Sequence, residues 1–178
     1  MDANSITATC ALVVSVLATC LAVWSAVTQR KHMKLSVKPI AAVPVADFEQ
    51  EIGVYLSNKG LGPMLVKKLE VIDKKGNRHS DLISYMPELK EGIIWSSFHG
   101  NVDGSFLEQG KKFELLLLEG NPKSESFQQS RDLVRTHLKD LVVRVEYEDL
   151  YGQIMETVER ELSWFGREKE DSRKAKGR

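Results

Sequence analysis

No charged side chain stands between Ala3 and Gln29. Thiols are nearly absent: Cys10 and Cys20 are the two cysteines, and both fall inside that uncharged stretch. Ten positions apart on one helix, they are too distant to be bridged. The rest of the chain has no thiol, which excludes an intrachain disulfide and a Cys/His zinc site and suits a reducing compartment. No lysine or arginine precedes Arg30, whereas a cleaved secretory signal ordinarily opens on a basic region. An excess of one sign is missing too. The 25 basic residues balance 25 acidic ones, which leaves no broad nucleic-acid footprint. Catalytic signatures are also missing: there is no G-x-S-x-G elbow, and no Walker loop, HExxH or dinucleotide fingerprint.

What the uncharged stretch does contain is a hydrophobic run, most apolar from Ala8 to Val27. At ~1.5 Å per residue the whole stretch reaches roughly 40 Å as a helix, more than the ~30 Å hydrocarbon core of a bilayer. Arg30, Lys31, His32 and Lys34 come directly after it. Residues 1–29 are therefore predicted to be a single transmembrane anchor, helical over about 5–28, with the bilayer as its partner. The positive-inside rule puts the C-terminal side of the anchor in the cytoplasm. The expected location is the inner or plasma membrane, with the N-terminus outside. Trp24 suits the interface at the basic end. Leu17-Ala18-Thr19-Cys20 faintly suggests a lipoprotein cleavage site, but Thr19 stands where a small residue is usual and apolar residues continue beyond Cys20. A cleaved, exported domain stays as the topological rival.

Ala8, Ala11, Ser15, Ala18, Ala22 and Ser25 recur at spacings of three and four. Small residues along one face let membrane helices pack closely, so this stripe is the candidate surface for a homo-oligomer.

Residues 30–166 form one normal-sized domain, predicted to be mainly β. Alternation is clearest at 141–148, with Leu141, Val143, Val145 and Tyr147 on one face. A turn at 149–153 leads to a second alternating run, 154–164, with Val158, Leu162 and Trp164 inward. The two make a hairpin. Leu35 to Val45 is β-rich but carries Pro39 and Pro44, which assigns it to a sheet edge. Ile52, Val54 and Leu56 share a face, as do Leu65, Leu69 and Val71. Gly92–Phe98 and Lys111–Glu119 read as strands, and Leu115–Leu118 as buried on both faces. A short helical turn is expected at 81–85. One amphipathic helix, about 124–140, carries Phe127, Val134 and Leu138 on one face, and Ser126 with Gln129 offers a capping box. This helix is expected over an open end of the sheets. The pattern predicts an antiparallel, immunoglobulin-like β-sandwich, with a small barrel as second choice. Residues 167–178 read as a disordered charged tail, whose Arg173, Lys174, Lys176 and Arg178 suit anionic lipid.

Asn58-Lys59-Gly60-Leu61-Gly62-Pro63 joins two of these strands. It resembles the N-x-G-x-G-P turn of a loose group of uncharacterised, mostly bacterial, single-pass membrane proteins. Leu35-Ser36-Val37-Lys38-Pro39 is similar to that group's first strand, and Tyr147-Glu148-Asp149-Leu150-Tyr151-Gly152 to its hairpin. The resemblance implies an anchor followed by an immunoglobulin-like sandwich, and it implies no activity. Physically, Gly60 and Gly62 permit unusual backbone angles and Pro63 withholds a donor, which suffices for a strand-to-strand corner. A phosphate cradle would need a helix N-terminus after the loop.

Of the four histidines, His32 belongs to the basic stop and His137 lies on the amphipathic helix, where it is expected in solvent. His79 and His99 fall in loops, and His99 with Asp103 has a spacing that can converge on a metal. Two ligands make a thin site. Asp149 is expected to cap its own turn. No catalytic, cofactor-binding or metal site is assigned. The sequence predicts a non-enzymatic interaction module held at the cytoplasmic membrane face. The alternatives are a ligand-sensing or effector protein that oligomerises through its anchor, and a hydrolase using His79, His99 and Asp103.

Overall fold

A computed structural model describes residues 3–167, so the expected charged tail lies, beyond Arg167, outside the described residues. The chain divides into two compact units, residues 1–38 and 39–178.

The first unit is a single helix, α1 (Ala3–Ser36). Its segment Ile6–Lys34 is long and apolar enough to cross a membrane, and none of its most apolar window is buried. Hydroxyls on it bond back to the backbone: Ser15 Oγ donates to the Ala11 carbonyl and Thr19 Oγ1 to that of Ser15, both at 2.8 Å. That removes the cost of an unpaired hydroxyl in apolar surroundings. The helix runs past the basic stop, so Leu35–Pro39 is not the strand expected there.

The second unit is sheet-rich. One antiparallel sheet has the order β1 (Ala41–Ala42), β3 (Glu51–Asn58), β8 (Lys112–Glu119), β6 (Ser97–Phe98), with β2 (Val45–Asp47) also on β3. The other has the order β10 (Val158–Glu161), β9 (Leu141–Glu148), β4 (Met64–Asp73), β5 (Arg78–His79), with β7 (Phe106–Leu107) also on β4. Both sheets feed one core, which holds Val54, Leu56 and Leu116 from the first and Val66, Val71, Val143 and Val145 from the second. As the alternation predicts, Leu141, Val143, Val145 and Tyr147 are buried, and so are all of Leu115–Leu118.

The strands fix two ends. At one, β3 leaves through Asn58 and β4 begins at Met64, β7 lies beside the start of β4, and the 149–153 turn closes β9. At the other, α2 (Glu125–Leu138) leaves β8 and returns the chain to β9, crossing from one sheet to the other. Phe127, Val134 and Leu138 of α2 enter the core, so the helix closes this end as expected. Its cap is Ser124, whose Oγ accepts from the Phe127 N–H. Ser126 lies inside the first turn instead. Phe127 packs so tightly against Gly120 that a methyl there would overlap its ring. His137 is half-buried rather than in solvent, with Nδ1 2.9 Å from the Leu133 carbonyl.

Other expectations fail for local reasons. A bulge between Val66 and Lys68 shifts the phase of β4. Met64 and Val66 therefore face the core with Leu69 and Val71, while Leu65 points out beside Phe106 and Glu148. Loop residues stabilise the bulge: Asp103 Oδ1 accepts from the Leu69 N–H at 2.8 Å, and the Gly104 N–H donates to Val66. The run 154–164 is not one strand. Ile154 makes an isolated bridge and is 77% exposed, Met155 is buried, and β10 spans four residues. A 3-10 turn at Ser163–Gly166 then buries Phe165 and leaves Trp164 outward under the Arg167 guanidinium, 3.5 Å from its ring. Of Gly92–Phe98 just two residues are strand. The 81–85 turn is present as a 3-10 helix, Ile83–Tyr85, with Asp81 Oδ1 accepting from Ser84.

Candidate functional site

The polar residues that sequence reasoning singled out are occupied structurally, and apart. His99 sits beside β8: its Nδ1 lies 2.9 Å from the Glu114 carbonyl, and its ring rests on Phe113. A carbonyl only accepts, so Nδ1 carries the proton. Asp103 serves the bulge of the other sheet. His79 stands on β5, edge-on to Tyr85 at 4.8 Å. The three are not brought into one site. Among the described residues no group of three or more His, Cys, Asp or Glu side chains could hold a metal ion.

The corner Asn58–Pro63 is built around a fully buried amide. Asn58 Nδ2 donates to the carbonyls of Gly62 at 2.7 Å and Leu107 at 3.0 Å. Its Oδ1 accepts from the N–H of Gly60 at 3.0 Å and of Ile40 at 3.3 Å. One side chain thus fastens β1, β3 and β7 together. Neither Gly60 nor Gly62 is at positive φ, so hydrogen bonds rather than left-handed glycines make the turn. Asp149 plays the same part in the hairpin, where its Oδ1 accepts from Tyr151 and Gln153, both at 2.8 Å.

Three charged or polar clusters were invisible in the sequence. Asp47, 1% exposed at its side chain, takes Arg135 in a two-pronged pair and Arg167 at 3.2 Å. Arg135 also reaches Asp132. This ties α2 to the edge of the first sheet across 88 positions of sequence. On the outer face of the second sheet, Glu70 accepts from Lys68 at 2.9 Å and Arg78 at 3.2 Å, with Arg144 at 4.0 Å. The Lys68 hydrogen bond, chiefly, holds its carboxyl below the usual range. Third, Tyr55 lies over Gly53 with the Lys112 ammonium 3.9 Å from its ring. Burial first, then Glu51, Glu114 and Glu119, push the phenol up to about 12. It stays neutral at physiological pH.

What remains uncommitted is apolar surface. The segment between β5 and β6 forms an open groove of about 560 Å³, lined by Ile83, Met86, Leu89, Ile93, Trp95 and Phe98. The Lys90 N–H donates to Ser130 of α2, and the Ser96 N–H to Leu117 of β8. Ile94 on its rim is 81% exposed. A second patch lies at the end opposite α2. Ile40, Leu61, Phe106, Leu150, Tyr151 and Ile154 are each more than half exposed there. A sequence pattern hides both, because each is assembled from short segments, those of the second patch far apart in the chain.

Comparison with protein-family models, with curated proteins and with solved structures finds no match to this chain.

Proposed function

We propose that the chain is a membrane-anchored, non-enzymatic interaction module. In this reading α1 spans the inner or plasma membrane with its N-terminal end outside. An immunoglobulin-like sandwich, built from the two sheets, stands at the cytoplasmic face. The observation that carries it is the pairing of an uncovered apolar helix with a domain whose buried Asn58, Asp47 and Arg135 side chains are bonded within the fold. The arrangement leaves large apolar side chains in water, and exposed patches of that kind mark interaction surfaces. Tethering raises local concentration, so weak contacts suffice.

Thiol accessibility in intact cells tests the topology. Cysteines are placed at exposed Ser80 and Lys123 in a variant lacking Cys10 and Cys20. Labelling by an impermeant reagent after lysis alone is the expected result; labelling of intact cells overturns the cytoplasmic assignment.

A second reading, a sensor or effector that clusters through its anchor, draws on the stripe Ala8, Ala11, Ser15, Ala18, Ala22 and Ser25, all exposed on α1. Ala18→Leu would then shift the oligomer size of the full chain in detergent, and an unchanged size rejects it.

A further inference from the structure

We propose that the end of the β-rich domain opposite α2 is a lipid-binding surface, whose apolar side chains enter the bilayer interface. This rests on the reading that α1 spans a membrane, and on neither direction of crossing.

The chain enters the domain at this end. Pro39 and Ile40 precede β1, the Ile40 carbonyl accepts from the Lys59 N–H at 2.8 Å, and the Ile40 N–H reaches the Asn58 amide. Around that entry point stand Leu61 of the corner, Phe106 of β7, and Leu150, Tyr151 and Ile154 of the hairpin. Register groups several on one face: Ile154 bridges Glu148, Glu148 pairs with Leu65, and Leu65 with Phe106.

Covalent connection brings this end to the membrane. Residues 30–36 are helical, and with Val37 and Lys38 extended the tether reaches at most roughly 17 Å from Gln29. The headgroup layer already takes up about 5–8 Å of that on each side. Burying several large apolar side chains at the acyl boundary is favourable at ~25 cal/mol per Å², and the tether supplies the proximity without further cost. The exposed ionic groups of these loops are Lys59, Lys111, Glu108 and Glu156, two of each sign, since the Asp149 carboxylate is turned onto its own turn. The basic excess lies in the connecting segment, in Arg30, Lys31, Lys34 and Lys38. Basic groups beside an apolar tip suit anionic lipid. Tyr151 has the amphipathic ring that interfaces favour.

The test uses the full chain lacking Cys10 and Cys20, reconstituted in phosphatidylcholine–phosphatidylglycerol liposomes. Single cysteines replace Leu150, Ile154, Ser80 or Val16 and carry an environment-sensitive fluorophore. Quenching by 5-doxyl phosphatidylcholine is then read. The expected result is several-fold stronger quenching and a blue shift at 150 and 154 relative to Ser80. Quenching at Val16 but not at 150 or 154 overturns the lipid surface and leaves the anchor standing. A blue shift at 150 and 154 without doxyl quenching overturns it too, and identifies a contact with a second copy. No quenching at Val16 overturns the anchor and the proposal together.

Discussion

Replacing Asn58 by alanine removes the partners of two N–H groups and two carbonyls at once. The Ile40 bond, at 3.3 Å, is long and lies beside an exposed residue, so its loss costs little. The other three, at 2.7, 3.0 and 3.0 Å, involve the buried Gly60 and Gly62 and the Leu107 carbonyl. A typical buried bond contributes about 1 kcal/mol net, and an orphaned buried group costs about 1–3 kcal/mol. Three such losses sum to about 3–9 kcal/mol, a large fraction of the ~5–15 kcal/mol that holds a domain folded. Denaturant unfolding of the detergent-solubilised full chain, followed by near-ultraviolet circular dichroism, reads this directly. Asn58→Asp sharpens it. The carboxylate keeps the acceptor toward Gly60 but turns a second oxygen onto the carbonyls of Gly62 and Leu107. It should therefore be at least as destabilising at neutral pH, and partly recover as the carboxyl is protonated. A loss below ~1 kcal/mol for Asn58→Ala would refute the amide as the fastening of the corner.

Asp47→Asn removes the countercharge of Arg135 and Arg167. Breaking a buried pair from one side costs about 3–5 kcal/mol, and the same unfolding assay should show it; little change would mean that the helix is held by its apolar face alone. Gly120→Ala drives a methyl into the Phe127 ring and should cost about 1–3 kcal/mol as overpacking does, with α2 the first element to lose protection in hydrogen exchange. Tyr55 gives a pH dependence. Its folded pKa, about 12, lies above the unfolded value of 10, so its contribution is complete below pH 10 and is lost as pH rises from there toward 12. Tyr55→Phe should flatten that alkaline limb of a stability-versus-pH curve, and an unaltered limb would contradict the assignment.

The legible parts of this fold are those whose pattern is local. The uncharged run is α1, the alternation of 141–148 is β9, and the apolar positions of α2 are the ones that enter the core. Pattern fails where a distant group decides. Leu65 leaves the core because Asp103 and Gly104 stabilise a bulge in β4. Trp164 and Phe165 exchange faces because a 3-10 turn replaces the end of a strand. Asp47 and Arg135 lie 88 positions apart, and nothing in either neighbourhood announces the pair. The apolar end around Ile40, Phe106 and Ile154 is hidden for the same reason. Each residue there reads singly as a loop or strand residue, and topology alone gathers them.

The central claim is that α1 is a retained membrane span. A cleaved signal has similar length and composition, and the two differ in what remains. Alkaline carbonate extraction of membranes, followed by the intact mass of the protein in the pellet, separates them. A retained span predicts a chain that resists extraction and whose mass still includes Ala3–Ser36. A soluble chain that has lost that segment would contradict it.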